Sequence, residues 1–188
     1  MTLPEQIPRH RFTVEEFHRM AEAGILGEDD RVELIQGELI EMTPIGSAHA
    51  RTVAWIAQHL ALAAGDGAVV WTQNPIRLDA HCEPQPDVAL LRARADGYWS
   101  ALPGPGDVLL VVEVADSSLA YDRDVKAPLY AAHGVPELWL VDLQARHVIR
   151  HRRPSAGGYT RIDPPVADRL LVPERLPAAG IDVGALFR

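Results

Sequence analysis

The sequence predicts a single α/β domain in which a mixed β-sheet is flanked by helices. Two apolar runs of strand length, Val108–Val114 and Pro136–Asp142, are continuous rather than alternating, as in strands buried on both faces. Ala50, Val53, Ala54, Ala57, Leu60, Ala61 and Ala64 make a helical stripe between shorter strand-like segments. Two hairpin-like pairs, at residues 31–42 and 146–162, add antiparallel strands, so the sheet is expected to be mixed.

The elements follow in order. Thr13-Val14-Glu15-Glu16 has the form of a capping box, and the helix it opens, at about residues 13–23, ends at Gly24 and Gly27. Gln36-Gly37 reads as a two-residue turn, which places Val32, Leu34, Leu39 and Glu41 on one face of the hairpin. Glu33, Ile35, Glu38 and Ile40 then share the other face, either at a wet edge or in a functional role. Ser47 is the expected N-cap of the Ala-rich helix, with His49 in its first turn, read as a surface or capping histidine. Residues 68–78 read as a strand in which Pro75 marks an edge, a bulge or an end. His81 and Cys82 are adjacent but lack partners at zinc spacing, so no zinc site is expected. Residues 92–106 form a long loop or short helix that could act as a lid, with Tyr98 and Trp99 serving either a partner surface or the core.

Asp122, Lys126 and Tyr130 recur at i, i+4 and i+8, which a helix places on one face. Val125, Leu129 and Ala132 would pack down on the neighbouring face. Pro128 lacks a backbone donor, so the regular helix is expected to start near Asp124 or to kink there. Beyond the second hairpin pair, a Pro-rich tail at about residues 163–188 holds a short last helix near residues 183–187. Neither repeats nor linkers interrupt the chain, and its 188 residues suit one domain over residues 1–188.

Composition narrows the class. Hydrophobic content of 47% and charged content of 23% are ordinary for a globular protein. No apolar run approaches a membrane span, and Met1–Gln6 lacks the basic flank and apolar core of a leader. Cys82 is the only cysteine, which precludes an internal disulfide and is compatible with the reducing cytoplasm, the expected location. A net charge of −8 argues against a broad phosphate-binding surface, although an acidic metal site contributes charge that its cation cancels. The basic cluster Arg146, His147, Arg150, His151, Arg152 and Arg153 reads first as a solvated hairpin and second as a phosphate contact.

The chemistry concentrates between Asp87 and Tyr130. Asp87 opens one apolar strand and Glu113 lies inside another. Carboxylates in such surroundings need a partner, and two of them on adjacent strands repel unless a cation or a proton stands between them. Asp87, Glu113 and Lys126 converging at strand ends could hold a hard cation such as Mg²⁺ on oxygen ligands. Phosphodiester hydrolysis needs such a cation, together with a second positive group for the developing charge. The bland reading is strand-end carboxylates paired with arginine and a solvated Lys126.

Several motifs in order resemble the Uma-two family of endonucleases, within the PD-(D/E)xK restriction-endonuclease-like superfamily. They are Val32-Glu33-Leu34-Ile35-Gln36-Gly37-Glu38-Leu39, His49 after Met42-Thr43-Pro44, Pro86-Asp87-Val88-Ala89, Val111-Val112-Glu113-Val114, Asp122-x-x-x-Lys126-x-x-x-Tyr130, and residues 134–142. The resemblance spans about residues 12–159. It implies a mixed sheet between helices, with Asp87 and Glu113 as ligands of Mg²⁺ or Mn²⁺ and Lys126 as the catalytic lysine. It also implies that Glu38 (Glu33 as alternate) and His49 complete the site, with Asp122 and Tyr130 as accessory groups. DNA would be the substrate, and a homodimer follows by analogy with nucleases that cut two strands. The superfamily carries lysine two residues after the second acid, where this chain has Ala115, so the lysine function falls to Lys126. Asp116 stands where a neutral residue is expected.

A reading from another class is a catalytically silent nuclease-like fold serving as a binding or assembly module. The acidic balance favours the module; Asp87, Glu113 and Lys126 in one chain favour the enzyme. A serine hydrolase has no support, since the chain has no Gly-x-Ser-x-Gly elbow.

Overall fold

A computed structural model describes residues 8–27 and 29–188; the reading of Met1–Gln6 lies outside them. The capping box forms as the sequence dictates. Thr13 accepts from the Glu16 N–H, Glu16 reaches back to Thr13, and helix α1 spans Val14–Glu22. Strands β1 (Val32–Ile35) and β2 (Glu38–Glu41) pair antiparallel, Ile35 opposite Glu38. Gln36 and Gly37 both take positive φ, the backbone a two-residue turn of matching twist requires. A side chain at Gly37 would also collide with the Arg11 backbone.

Helix α2 runs over Ser47–Ala64. Its N-cap is Gly46, with no side-chain capping bond, and Ser47 is instead the first helical residue. Strand β3 (Ala68–Thr72) ends well before residue 78, because Gln73 turns to positive φ ahead of Pro75. Strands β4 (Val88–Arg92) and β5 (Val108–Ala115) follow. Next comes a helix in three parts: α3 (Leu119–Tyr121), a π-helical turn (Asp122–Lys126) and α4 (Ala127–Ala132). Strands β6 (Glu137–Asp142), β7 (His147–Ser155) and β8 (Gly158–Ile162) complete the sheet. The tail is more regular than expected, with β9 (Leu170–Leu171), β10 (Ile181–Asp182) and α5 (Val183–Leu186).

The six-stranded sheet has the order β3-β4-β5-β6-β7-β8. Only β5 and β6 are parallel, joined by the α3–α4 crossover, so the sheet is mixed and helices cover it as expected. Alternation divides the core. Val88, Leu90, Val112, Val114, Trp139 and Val141 pack with Val53, Ile56 and Leu60 of α2 and with Leu171, Ile181 and Leu186 of the tail. Ala89, Leu91, Val111 and Leu138 face the other way, toward Ala127, Leu129 and Tyr130 of α4 and Ile35 of β1.

The helix neither starts at Asp124 nor breaks at Pro128. A proline ring clashes with the carbonyl four residues back and donates no hydrogen bond. The wider turn over Asp122–Lys126, where the Ala127 N–H reaches the Asp122 carbonyl, absorbs the misfit just ahead of Pro128. It also sets which face turns inward. Asp122, Lys126, Leu129 and Tyr130 are buried, whereas Val125 and Ala132, expected to pack down, are exposed. The loop after β4 is likewise no lid. It leaves the Arg92 end of that strand, remote from Asp87 at the start. Tyr98 is buried there with its hydroxyl donating to the Arg92 carbonyl at 2.8 Å, while Trp99 is 93% exposed.

Candidate functional site

Strand parity assembles the site. Val88 pairs with Val112, so one step back along β4 and one forward along β5 bring Asp87 opposite Glu113. Both lie on the sheet face turned from α2. The Asp87 N–H donates to Glu113 Oε2 at 3.4 Å, and the Val114 N–H donates to Asp87 Oδ2 at 2.9 Å. Above them the helix supplies two donors to Glu113 Oε1: the Tyr130 hydroxyl at 2.6 Å and Lys126 Nζ at 3.2 Å. Lys126 thus reaches the second acid from the crossover helix, while Ala115 occupies the strand position.

Lys126 Nζ is also 3.1 Å from Glu33 Oε2. Glu33 is buried, and it accepts from the Gln85 N–H at 3.1 Å and the Tyr121 hydroxyl at 3.3 Å. Glu38, the acid first expected here, is outside the cleft lining, half exposed and ion-paired with Arg11 at 2.9 Å. The physical reason is docking. The Glu83 N–H donates to the Leu34 carbonyl, which ties β1 to the segment leading into Asp87 and leaves β2 at the rim. His49 is not a bland surface histidine: its Nε2 lies 3.1 Å from Asp87 Oδ2, and its buried Nδ1 has no protein partner. Asp122 is buried and turns aside to accept from the Ser118 hydroxyl at 2.6 Å. Asp116 accepts from the Gln144 side chain at 2.6 Å at the cleft edge.

These groups line a cleft of about 340 Å³. Glu33, Asp87, Glu113, Asp122 and Lys126 are its buried charged residues, four carboxylates to one ammonium. The imbalance appears in their proton affinities. Burial, and then the neighbouring charges of Asp122 and Asp87, push the Glu113 carboxyl up to about 8 against the pull of Lys126. Burial likewise raises Asp122. Burial opposes the charge on Lys126, but Glu113, Glu33 and Asp122 outweigh it and hold the ammonium charged beyond its usual range. The hydrogen bond to Asp87 raises His49 against the effect of burial.

The donor chemistry fits a hard divalent cation: carboxylate oxygens with one imidazole and no thiol, the sulfur of the lining being the Met42 thioether. Asp87 and Glu113 would hold it as a pair, with the remaining positions left to backbone oxygens and water, which is how Mg²⁺ is commonly bound. Among the described residues, the one trio of metal-donor side chains with donor atoms within 4.8 Å of one another lies elsewhere, at Asp79, Cys82 and His133.

Tyr121 and the Gln85 backbone carried no separate signal in the sequence; their roles come from how β1 and the helix dock. The basic cluster of β7 is largely consumed in ion pairs. Arg150 pairs with Glu137, Arg152 pairs with Asp163 and Glu174, and His151 is buried.

Comparison with known proteins agrees with this architecture. The Uma2 family, described as "Putative restriction endonuclease", matches residues 14–184. A solved structure from Anabaena variabilis ATCC 29413, described as "a putative nuclease belonging to DUF820", superposes with a TM-score of 0.73 at 18% identity, covering 94% of this chain and 97% of that one. Among curated proteins nothing matches. No helix among the described residues is long and apolar enough to cross a membrane.

Proposed function

We propose that this chain, which belongs to the Uma2 family of restriction-endonuclease-like proteins, is a Mg²⁺- or Mn²⁺-dependent endonuclease of the PD-(D/E)xK type that hydrolyses phosphodiester bonds in DNA. The observation that carries the proposal is the placement of Asp87 opposite Glu113, with Lys126 Nζ 3.2 Å from Glu113 and an excess of buried carboxylates over cations. A bound divalent cation would polarise the scissile phosphoryl group and acidify a water molecule. Asp87 and Glu113 hold that ion. Lys126 keeps Glu33 and Glu113 in register and places a fixed positive charge beside the reacting phosphate. Tyr130 orients Glu113 through Oε1. Glu33 anchors Lys126, which is why it, rather than Glu38, takes the third acidic role. His49, when protonated, keeps Nε2–H on Asp87 and adds a positive charge at the cleft wall. The cytoplasm is the proposed place of action.

The silent binding module is the second reading, favoured by the net charge of −8 and by the pairing of Arg150 and Arg152 with acids. Supercoiled plasmid and single-stranded DNA, incubated with Mg²⁺, Mn²⁺ or EDTA, separate the two. Cleavage that needs the cation and vanishes in Glu113→Gln supports the enzyme, and nicked versus linear product reports how many copies act together. A folded protein that cleaves nothing while still retaining DNA supports the module.

A further inference from the structure

On the far side of β1 from the acidic cleft lies a second cleft of about 630 Å³, lined by Asp79, Cys82, His133 and Arg11 among others. Cys82 has no partner at zinc spacing along the chain, but the fold brings His133 to it from the end of α4. Donor atoms of Asp79, Cys82 and His133 lie within 4.8 Å of one another. We infer that these three side chains form a binding site for a borderline transition-metal cation of the Zn²⁺ class, separate from the Mg²⁺-type cleft.

The imidazole is held at both ring nitrogens. His133 Nδ1 is 2.8 Å from the Leu129 carbonyl, and Nε2 is 2.9 Å from Asp79 Oδ2. Both nitrogens face oxygen acceptors, yet a neutral imidazole carries a single N–H. The second contact therefore needs either an extra proton or a cation. An Nδ1–H on a backbone carbonyl is the arrangement that fixes the ring of a metal-bound histidine and presents Nε2 as the ligand. Asp79 is oriented as well, its Oδ1 accepting the His81 N–H at 2.7 Å. The Cys82 sulfur forms the buried floor and is positioned by the Gln36 N–H at 3.3 Å.

Ligand chemistry selects the ion. Thiolate, imidazole and carboxylate together suit Zn²⁺ and disfavour Mg²⁺. Tetrahedral bonds of roughly 2.0–2.3 Å put donor atoms about 3.3–3.8 Å apart, so small side-chain shifts close the observed spread. Three protein ligands leave the fourth position to water from the open cleft. On binding, Cys82 gives its thiol proton to solvent, as does His133 if Nε2 carries one.

The position gives the ion a role. Asp79 and Cys82 belong to the segment that leads into Asp87. His133 caps the helix that begins with Lys126 as its N-cap and carries Tyr130. An ion at this point fastens those two elements together behind the acidic cleft, so it acts as a staple rather than a reaction centre.

Cobalt tests the site independently of nuclease activity, because the acidic cleft is lined by no cysteine. The chelator-treated full chain is titrated with Co²⁺ and then with Zn²⁺. One Co²⁺ per chain that gives thiolate-to-cobalt charge-transfer absorption, apart from any ion in the acidic cleft, and that Zn²⁺ displaces with a rise in melting temperature, is expected. In Cys82→Ser the absorption is lost. In His133→Gln, a half-buried position that leaves the core intact, affinity falls by at least about tenfold. Absence of the absorption in the wild-type chain overturns the site. So does unchanged affinity in His133→Gln, which reduces Asp79 and His133 to an ion pair and Cys82 to a lone thiol; that variant decides the matter if Cys82→Ser fails to fold.

Discussion

Glu113 and Glu137 sit in neighbouring strands, β5 and β6, each within a run of Val and Leu, and each buried. Their surroundings are opposite. Glu137 Oε1 accepts from Arg150 and from the Trp139 indole at 2.6 Å, while Oε2 accepts from the Glu174 N–H at 2.7 Å. Both oxygens accept from donors, three in all, and a single guanidinium balances the charge. Glu113 shares one ammonium with Glu33 and stands beside Asp87 and Asp122. Burial of a carboxylate therefore does not mark a site by itself. An unbalanced set of carboxylates does, because it is the arrangement a cation would complete.

The largest expected effect tests that contrast directly. Glu113→Gln abolishes cation-dependent plasmid cleavage yet changes stability by no more than about 1 kcal/mol, since Lys126 keeps Glu33. Glu137→Ala leaves the half-buried Arg150 and the buried Trp139 indole without their acceptor and costs about 3 kcal/mol in urea unfolding. Equal destabilisation by the two would break the comparison.

Lys126→Met comes next. Without a divalent cation it leaves Glu33, Glu113 and Asp122 uncompensated and destabilises by about 3 kcal/mol. Added Mg²⁺ or Mn²⁺ should recover part of the melting temperature without recovering cleavage. No cation-dependent recovery would mean that the acids do not hold the ion.

The pH dependence follows. In the folded chain Glu113 keeps its proton up to about 8, against an ordinary 4.5, so between those values the folded state holds more protons than the unfolded state. Stability contributed by that proton falls as pH rises through this window. His49, raised by Asp87, acts with the same sign, its contribution present below the ordinary histidine value of 6.5 and lost as pH climbs through the raised one. Melting temperature measured without metal should fall from about pH 5 to pH 8. The decline should flatten in Glu113→Gln and persist in Glu137→Gln.

The smallest effect is that of Tyr130→Phe, which removes the 2.6 Å bond to Glu113 and costs about 1.5 kcal/mol. Losing a donor to the charged form also moves the Glu113 midpoint further up, visible as a shift of the cleavage pH profile to higher pH. An unmoved profile would assign Tyr130 to packing alone.

Local periodicity made most of the fold legible. The capping box, the Gln36-Gly37 turn and the buried strands depend on neighbours a few residues apart, and all of them form; the Ala-rich helix forms too, but its buried face is Thr52, Val53, Ile56 and Leu60, while Ala50, Ala54 and Ala61 of the expected stripe are exposed. The pairing of Asp87 with Glu113 was readable because both sit in strands whose alternation fixes their faces. What escaped was set by docking between distant segments. Glu33 rather than Glu38 turns inward because β1, not β2, bonds to the stretch before Asp87. His49 reaches Asp87 because the first turn of α2 docks beside the start of β4. His133 comes to Cys82 only because α4 crosses back over the loop at Asp79. The exposure of Val125 and Ala132 depends on a π turn for which Pro128 was the sole clue.

That turn has a consequence for how the gene can change. It holds one residue more than an α-helical turn would, so the stretch from Asp122 to Lys126 works as a phase adjuster. Closing it into regular α geometry with every residue kept would swing every later side chain by about 100°. Tyr130 would leave Glu113, and His133 would leave Asp79. Loss of one residue inside the turn would leave the later helix in phase, whereas a change that closes the turn at unchanged length should silence both clefts at once.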